Sequence, residues 1–168
     1  MTELDQIWSR MLDEAAVRAG DSDRTHVAEY LRLKATNDAI RTAGVGWLFD
    51  TLIEIASRAS RDHNTITIER EDPHSFYRGS SNMVGSLLEV RQGVRCLSVE
   101  AGWVRTPSDG IMQKGALAYA RIRHFGMPKA AAEFRLVHAE TLPSWLAEDD
   151  TAIDSREIRR HFRVFRGV

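Results

Sequence analysis

The sequence has a single cysteine, Cys96, among 168 residues. No disulfide can therefore close within the chain, and chemistry built on paired cysteines is excluded. No apolar run approaches the roughly 18 residues that cross a bilayer, so no membrane span is expected. Charge of one sign is missing as well, with 23 Lys and Arg against 24 Asp and Glu. The whole-molecule field steers the chain toward neither nucleic acid nor anionic lipid, and any such attraction must be local. The opening residues MTELDQIWSR are acidic where a secretory signal needs a basic stretch before an apolar one, which gives the expectation of a cytoplasmic protein. Gly-rich phosphate loops, the Walker pattern and His-Glu-x-x-His are absent. This argues against the commonest nucleotide-hydrolysing, dinucleotide-binding and zinc-enzyme chemistries. Repeats and low-complexity stretches do not occur, and no cofactor is expected.

What the chain does have, over its first 62 residues, is helical periodicity. Leu4, Ile7, Trp8, Met11, Leu12 and Ala15 recur at three- and four-residue spacing, with Thr2 as a cap and Gly20 as a stop. A second start at residues 21–25 places Val27, Leu31 and the Ala35–Ile40 region on an inner face. Gly44 and Gly46 either break this helix or allow close packing, before Trp47, Leu48, Leu52, Ile53 and Ile55 mark the most buried helical stretch.

From residue 64 the period changes to two. TITIER alternates, EDPHSFYRGSSN reads as a loop, and Val84, Ser86, Leu88 and Val90 share one phase of the next run. Gln92-Gly93 signals a hairpin. Beyond it Leu97, Val99 and Ala101 alternate with Cys96, Ser98 and Glu100. ALAYARIRHF and AEFRLVHAE repeat the pattern around GMPKAA, and the tail holds a short helix after Pro143, an acidic break and a basic end. Helices first and strands afterward predict an α+β fold: N-terminal helices packed on one face of a four- to five-stranded antiparallel β-meander, with a short C-terminal helix and basic tail. A single domain over 1–168 is expected, with a helical region 1–62, a sheet region 64–140 and a C-terminal region 141–168.

Candidate chemistry concentrates in a few places. Glu69, Glu71, Asp72 and His74 crowd into EREDPHSFY. They can act in acid–base catalysis or hold a divalent ion, or form a solvated turn; the spacing matches no metal pattern, so no metal ligand is assigned. The long connection after Trp103 offers Arg105, Ser108, Asp109 and Lys114 for an anionic ligand or a peptide, or is a hairpin tip with Trp103 closing the core. Tyr119, Arg121 and Arg123 share one strand phase and His124 the other. With Arg91, Arg95 and Arg135 they form either a single-strand nucleic-acid surface or, with Glu89, Glu100 and Glu133 across the strands, an ordinary paired face. His124 and His138, near the ends of successive strands, meet in a site or stand apart. Cys96, in mid-strand, reads as a small core residue.

In the tail, Ile158, Phe162 and Phe165 recur at helical spacing among Arg156, Arg159, Arg160, Arg163 and Arg166. This segment docks on its own domain or on a twin subunit, or binds nucleic acid, an acidic surface or anionic lipid. The leading expectation is a small interaction or ligand-binding domain that self-associates as a homo-oligomer or meets a protein partner or small ligand. The alternatives are a hydrolase-type enzyme with a distributed, metal-dependent Asp/Glu/His site, including Asp109 with His124, and a nucleic-acid-binding protein using the strand arginines and the tail.

Overall fold

The computed structural model describes residues 7, 9–11, 21–62, 65–138 and 142–168. The predicted caps and most of the apolar face of the first helix, Thr2, Leu4, Trp8, Leu12, Ala15 and Gly20, lie outside the described residues. So do the ends of the predicted sheet region at 64 and at 139–140. Ile7 and Met11 are helical and exposed. The chain divides between Ala39 and Ile40 into two units.

Helix α1 (Asp21–Ser60) crosses that division without a break. Before it, Val27 and Leu31 are half-buried and Tyr30 and Leu33 exposed, while Lys34 and Asp38 pair at i, i+4 over 2.9 Å. In the second unit, α1 buries Ile40, Val45, Leu48, Phe49, Leu52 and Ala56 against a sheet. Gly44 is a packing glycine and not a breaker: a Cβ there would come within 2.6 Å of Leu136 Cδ2, and its carbonyl accepts the indole N–H of Trp145 at 2.9 Å. Gly46 meets nothing within 4 Å.

The sheet has six strands, not the four to five expected, in the order β1-β2-β3-β4-β5-β6 with every neighbouring pair antiparallel. They are β1 (Thr67–Arg78), β2 (Ser81–Gln92), β3 (Arg95–Trp103), β4 (Ala118–His124), β5 (Ala132–His138) and β6 (Pro143–Leu146). Two differences from the pattern reading account for the change. The segment read as the loop EDPHSFYRGSSN is mostly strand. Its register shifts between Glu71 and His74, where Pro73, with no N–H to give a ladder, is accommodated in a bulge on an edge strand. Pairing resumes to Arg78, and a two-residue turn follows in which Gly79 takes φ 58. The predicted short helix after Pro143 is instead β6. Its four residues alternate, sending Trp145 into the core, and they pair with Arg135–His138.

Helix α2 (Ser155–Arg166) is the basic tail. The Asp154 side chain accepts from Arg156 N–H at its start, and Gly167, at φ 76, donates to the Arg163 and Val164 carbonyls at its end. Its apolar edge, Ile158, Phe162 and Phe165, joins the same core as α1. Among the described residues, no helix is long and apolar enough to cross a membrane.

Candidate functional site

Strand alternation decides which side chains meet. Leu88 and Val90 of β2, Leu97 and Val99 of β3, Ile122 of β4 and Phe134 of β5 face the helices. The opposite phase, Glu89, Ser98, Glu100, Tyr119, Arg121, Arg123 and Glu133, therefore lines the second face. The bulge in β1 adds to this face. Before it, Ile68 stands opposite Val90 and Arg70 opposite Leu88 on the helix side, and the Arg70 guanidinium lies 5.2 Å from the Phe49 ring centroid. After it, His74, Phe76 and Arg78 have changed sides. An inserted residue reverses the parity of everything beyond it.

The second face is organised by Glu100, only 3 % exposed. Its carboxylate is hydrogen-bonded with His74 Nε2 at 2.9 Å and accepts from Arg123 Nη2 at 2.9 Å, and it forms an ion pair with Arg121, whose Nε lies 3.2 Å away without a hydrogen bond. A carboxylate buried this deeply needs such partners, because an unpaired buried charge is strongly unfavourable. The His74 Nδ1 lies 3.4 Å from Glu71, so each ring nitrogen faces a carboxylate of the protein. Arg121 also donates to the Tyr77 carbonyl at 2.7 Å. Arg78 donates to Glu133 at 3.2 Å and lies 3.9 Å from the Tyr119 ring centroid. Tyr119 is buried, with its hydroxyl donating to the Gln113 carbonyl at 3.0 Å.

The connection 104–117 folds back over the lower region of this face. Phe76, Met83, Ala116 and Tyr119 form a small apolar cluster there, with Val104 and Met112 packed against it. Gly110, at φ 128, brings the loop so near the β1–β2 turn that a Cβ would stand 2.3 Å from Ser81 Oγ. Loop and turn together border an open cleft of about 380 Å³ lined by Arg78, Gly79, Ser80, Ser81, Met83, Ile111, Gln113 and Glu133. Its wall thus holds a guanidinium, a carboxylate, two hydroxyls and an amide, with Met83 and Ile111 as apolar contacts.

The other singled-out residues are distributed as follows. The Arg105 guanidinium lies 3.9 Å and that of Arg41 5.5 Å from the Trp103 ring centroid; Arg105 also donates to the Val84 carbonyl. Ser108 and Asp109 are held by the Thr106 hydroxyl at 2.8 and 2.6 Å in a 3₁₀ turn. Lys114 is exposed at φ 55. Arg91 pairs with Glu89, and Arg135 with Asp150. Cys96 is half-buried, and burial, then the nearby Glu89 carboxylate, raises its thiol pKa, the opposite of what a nucleophile needs.

His124 is brought to neither His138 nor Asp109. The pairing of Leu97 with His124 and of Ala118 with Leu136 puts His124 and His138 at opposite ends of the sheet, and Asp109 follows the far end of β3. Instead His124 Nε2 lies 3.0 Å from Nδ1 of His161 on the helix side, with both rings buried. Burial, then the Arg160 charge, lowers both pKa values, that of His161 to about 4, with Glu157 opposing. No sequence signal paired these two, since the contact depends on where α2 docks. Among the described residues, no three His, Cys, Asp or Glu side chains converge as a metal site.

In α2, Phe162 and Phe165 are buried. Arg156 pairs with Asp154 and Arg160 with Glu157, while Arg159 and Arg163 are exposed. The cleft residues Arg78, Ser80, Gln113 and Glu133 carry no joint signal in the sequence, because the pattern around Arg78 and Ser80 is that of a loop. Comparison with protein-family models, with curated proteins and with solved structures finds no match.

Proposed function

We propose that the protein is a ligand-binding domain that takes a small polar molecule into the cleft between the β1–β2 turn and the 104–117 connection. The ligand class follows from the wall. Arg78 and Glu133 are paired with each other at 3.2 Å and each about a third exposed, so together they suit a ligand that carries both an anionic group and an amine or hydroxyl donor. Ser80, Ser81 and Gln113 fix orientation, and Met83 and Ile111 accept a short apolar portion. Amino acids, hydroxy acids and short peptides fit this chemistry. The observation that carries the reading is the open cleft itself: a volume of about 380 Å³ with Arg78, Ser81, Gln113 and Glu133 on its wall, a size in the range of small-molecule sites, which use a few placed polar groups to fix orientation.

The hydrolytic reading has less support, because His74 has both nitrogens on carboxylates. The nucleic-acid reading has less as well, because Arg121 and Arg123 are held by Glu100 and the Tyr119 ring is buried beneath Arg78. Self-association through strand edges is weakened by the charges and the bulge on β1.

The test is a thermal-shift panel of free amino acids, dipeptides and hydroxy acids. A ligand at about a hundred times its Kd adds about 2.7 kcal/mol to the folded state, which raises Tm by roughly 5–10 °C for a chain of this size. Gln113→Ala combined with Ser80→Ala is expected to remove that shift and leave the ligand-free Tm unchanged. A panel with no shift, or a shift that survives the double variant, contradicts the reading.

A further inference from the structure

Helix α2 belongs to no strand ladder. It is held by its buried side chains, Ile158, His161, Phe162 and Phe165, and by Arg95 of β3, which reaches the Phe165 and Arg166 carbonyls at its last turn. The connection before it stays tied to β6, with Ile153 N–H donating to the Trp145 carbonyl at 2.9 Å. The helix can therefore lift away about Asp154 without breaking a strand pairing, and α1 still covers the sheet with Leu48, Phe49 and Leu52. Elements attached in this way open separately from the rest of a fold.

One of the four buried side chains is titratable. His161 is 1 % exposed and meets His124 of β4, 6 % exposed, across the seam. His161 Nδ1 and His124 Nε2 are 3.0 Å apart, and the rings stack with centroids at 5.3 Å. In the neutral pair one proton lies between the rings. A further proton leaves N–H groups on both outer nitrogens, whichever ring takes it. At His124 the outer nitrogen is Nδ1, which is buried and has no hydrogen-bond partner among the described residues. At His161 it is Nε2, 3.3 Å from Arg160 Nη2 and 3.4 Å from Glu157 Oε1, and Glu157 is already engaged twice by Arg160. From the other elements, Leu97 of β3 stands opposite His124 and the Phe134 ring of β5 lies edge-on to His161. Glu54 and Arg58 on α1 are exposed and paired with each other, Asp150 pairs with Arg135, and Lys129, Glu148 and Asp149 in the adjoining connections are exposed. A charged imidazole in this seam thus meets a donor without an acceptor and a guanidinium, an arrangement that opposes burial of the charge.

We infer that α2 is a latch released by acid: protonation of the His124–His161 pair lifts the helix off β4 and β5 and uncovers Phe134, while α1 and the sheet stay folded. The direction follows from where the proton is held. With α2 released, the imidazoles are in water and titrate near the ordinary 6.5; with α2 docked, burial and the Arg160 charge bring His161 down to about 4. Docking is therefore at full strength above about pH 6.5 and weakens as pH falls toward 4, by roughly a hundredfold at about pH 4.5 from His161 alone.

Hydrogen exchange of the full chain, read by mass spectrometry at about pH 7 and about pH 4.5 and corrected for the pH dependence of free-amide exchange, tests this. Residues 155–166 are expected to be less protected than β2–β4 at both values. Their protection is expected to fall about a hundredfold between the two, with the strands still the better protected. His161→Phe is expected to keep α2 protected at the lower pH. Equal protection of α2 and the strands overturns the inference, because the molecule then opens only as a whole. So does α2 protection that is unchanged by pH, or that falls as far in His161→Phe as in the parent. The first two outcomes are read on the parent protein and stand even where the variant fails to fold.

Discussion

Glu100 shows how one residue organises a sheet face. Its partners differ in exposure, Arg121 at 24 % and Arg123 at 52 %, so they can turn to water when it is lost, whereas the carboxylate cannot. Glu100→Gln keeps the shape and removes the charge, and it is expected to cost about 2–3 kcal/mol, read as a lower urea midpoint with the m-value unchanged. The His124–His161 pair gives a pH dependence. Both pKa values are lowered in the folded protein, that of His161 from 6.5 to about 4. The unfolded chain therefore takes up these protons first, and stability is complete above about pH 6.5 and falls as pH drops toward 4. The His161 share of that loss is about 3 kcal/mol. His161→Phe, which removes the titration from a site packed against Phe134, is expected to flatten the urea midpoint between pH 6.5 and 4. A midpoint that still falls as steeply would assign the acid sensitivity to other groups. The acidic cluster at 69–72 was legible as charge; that His74 turns to the other face was not, because it depends on a one-residue shift of register.

At the scale of elements, the glycines of α1 separate two roles that sequence cannot distinguish. Gly46 has open space and Gly44 has Leu136 against it. Gly46→Ala is expected to stabilise by about 0.5–1 kcal/mol, the usual gain from replacing a mid-helix glycine. Gly44→Ala is expected to show no such gain and to lose stability as Leu136 is displaced from a packed core. Equal gains in chemical denaturation would contradict the packing described. The helical stretch through Ile55 and the strands from Val84 to Val137 were legible because a sheet covered on one face repeats strictly at two and an inward helix face at three to four. The ends of the sheet were less so. β1 is an edge strand, where charge and proline are tolerated and mimic a loop, and β6 is too short to show a period. The docking of α2 was legible from Ile158, Phe162 and Phe165, but the histidine it delivers to His124 was not.

At the scale of the whole molecule, the two outer strands are protected against pairing with other chains. β1 presents Glu69, Arg70, Glu71 and Asp72 and a proline bulge, and β6 has only four residues, both familiar guards of an open edge. Glu69→Val with Glu71→Val is expected to increase aggregation on mild heating, seen as rising light scattering at temperatures where the parent stays clear. The sheet that these edges protect carries a polar cleft at its β1–β2 turn. The cleft is the central claim, and a two-dimensional amide NMR titration with a mixture of amino acids and hydroxy acids tests it most directly. Shifts concentrated at Arg78–Ser81 and Ile111–Gln113 are predicted. A spectrum that stays unchanged, or moves only elsewhere in the sheet, would contradict the account.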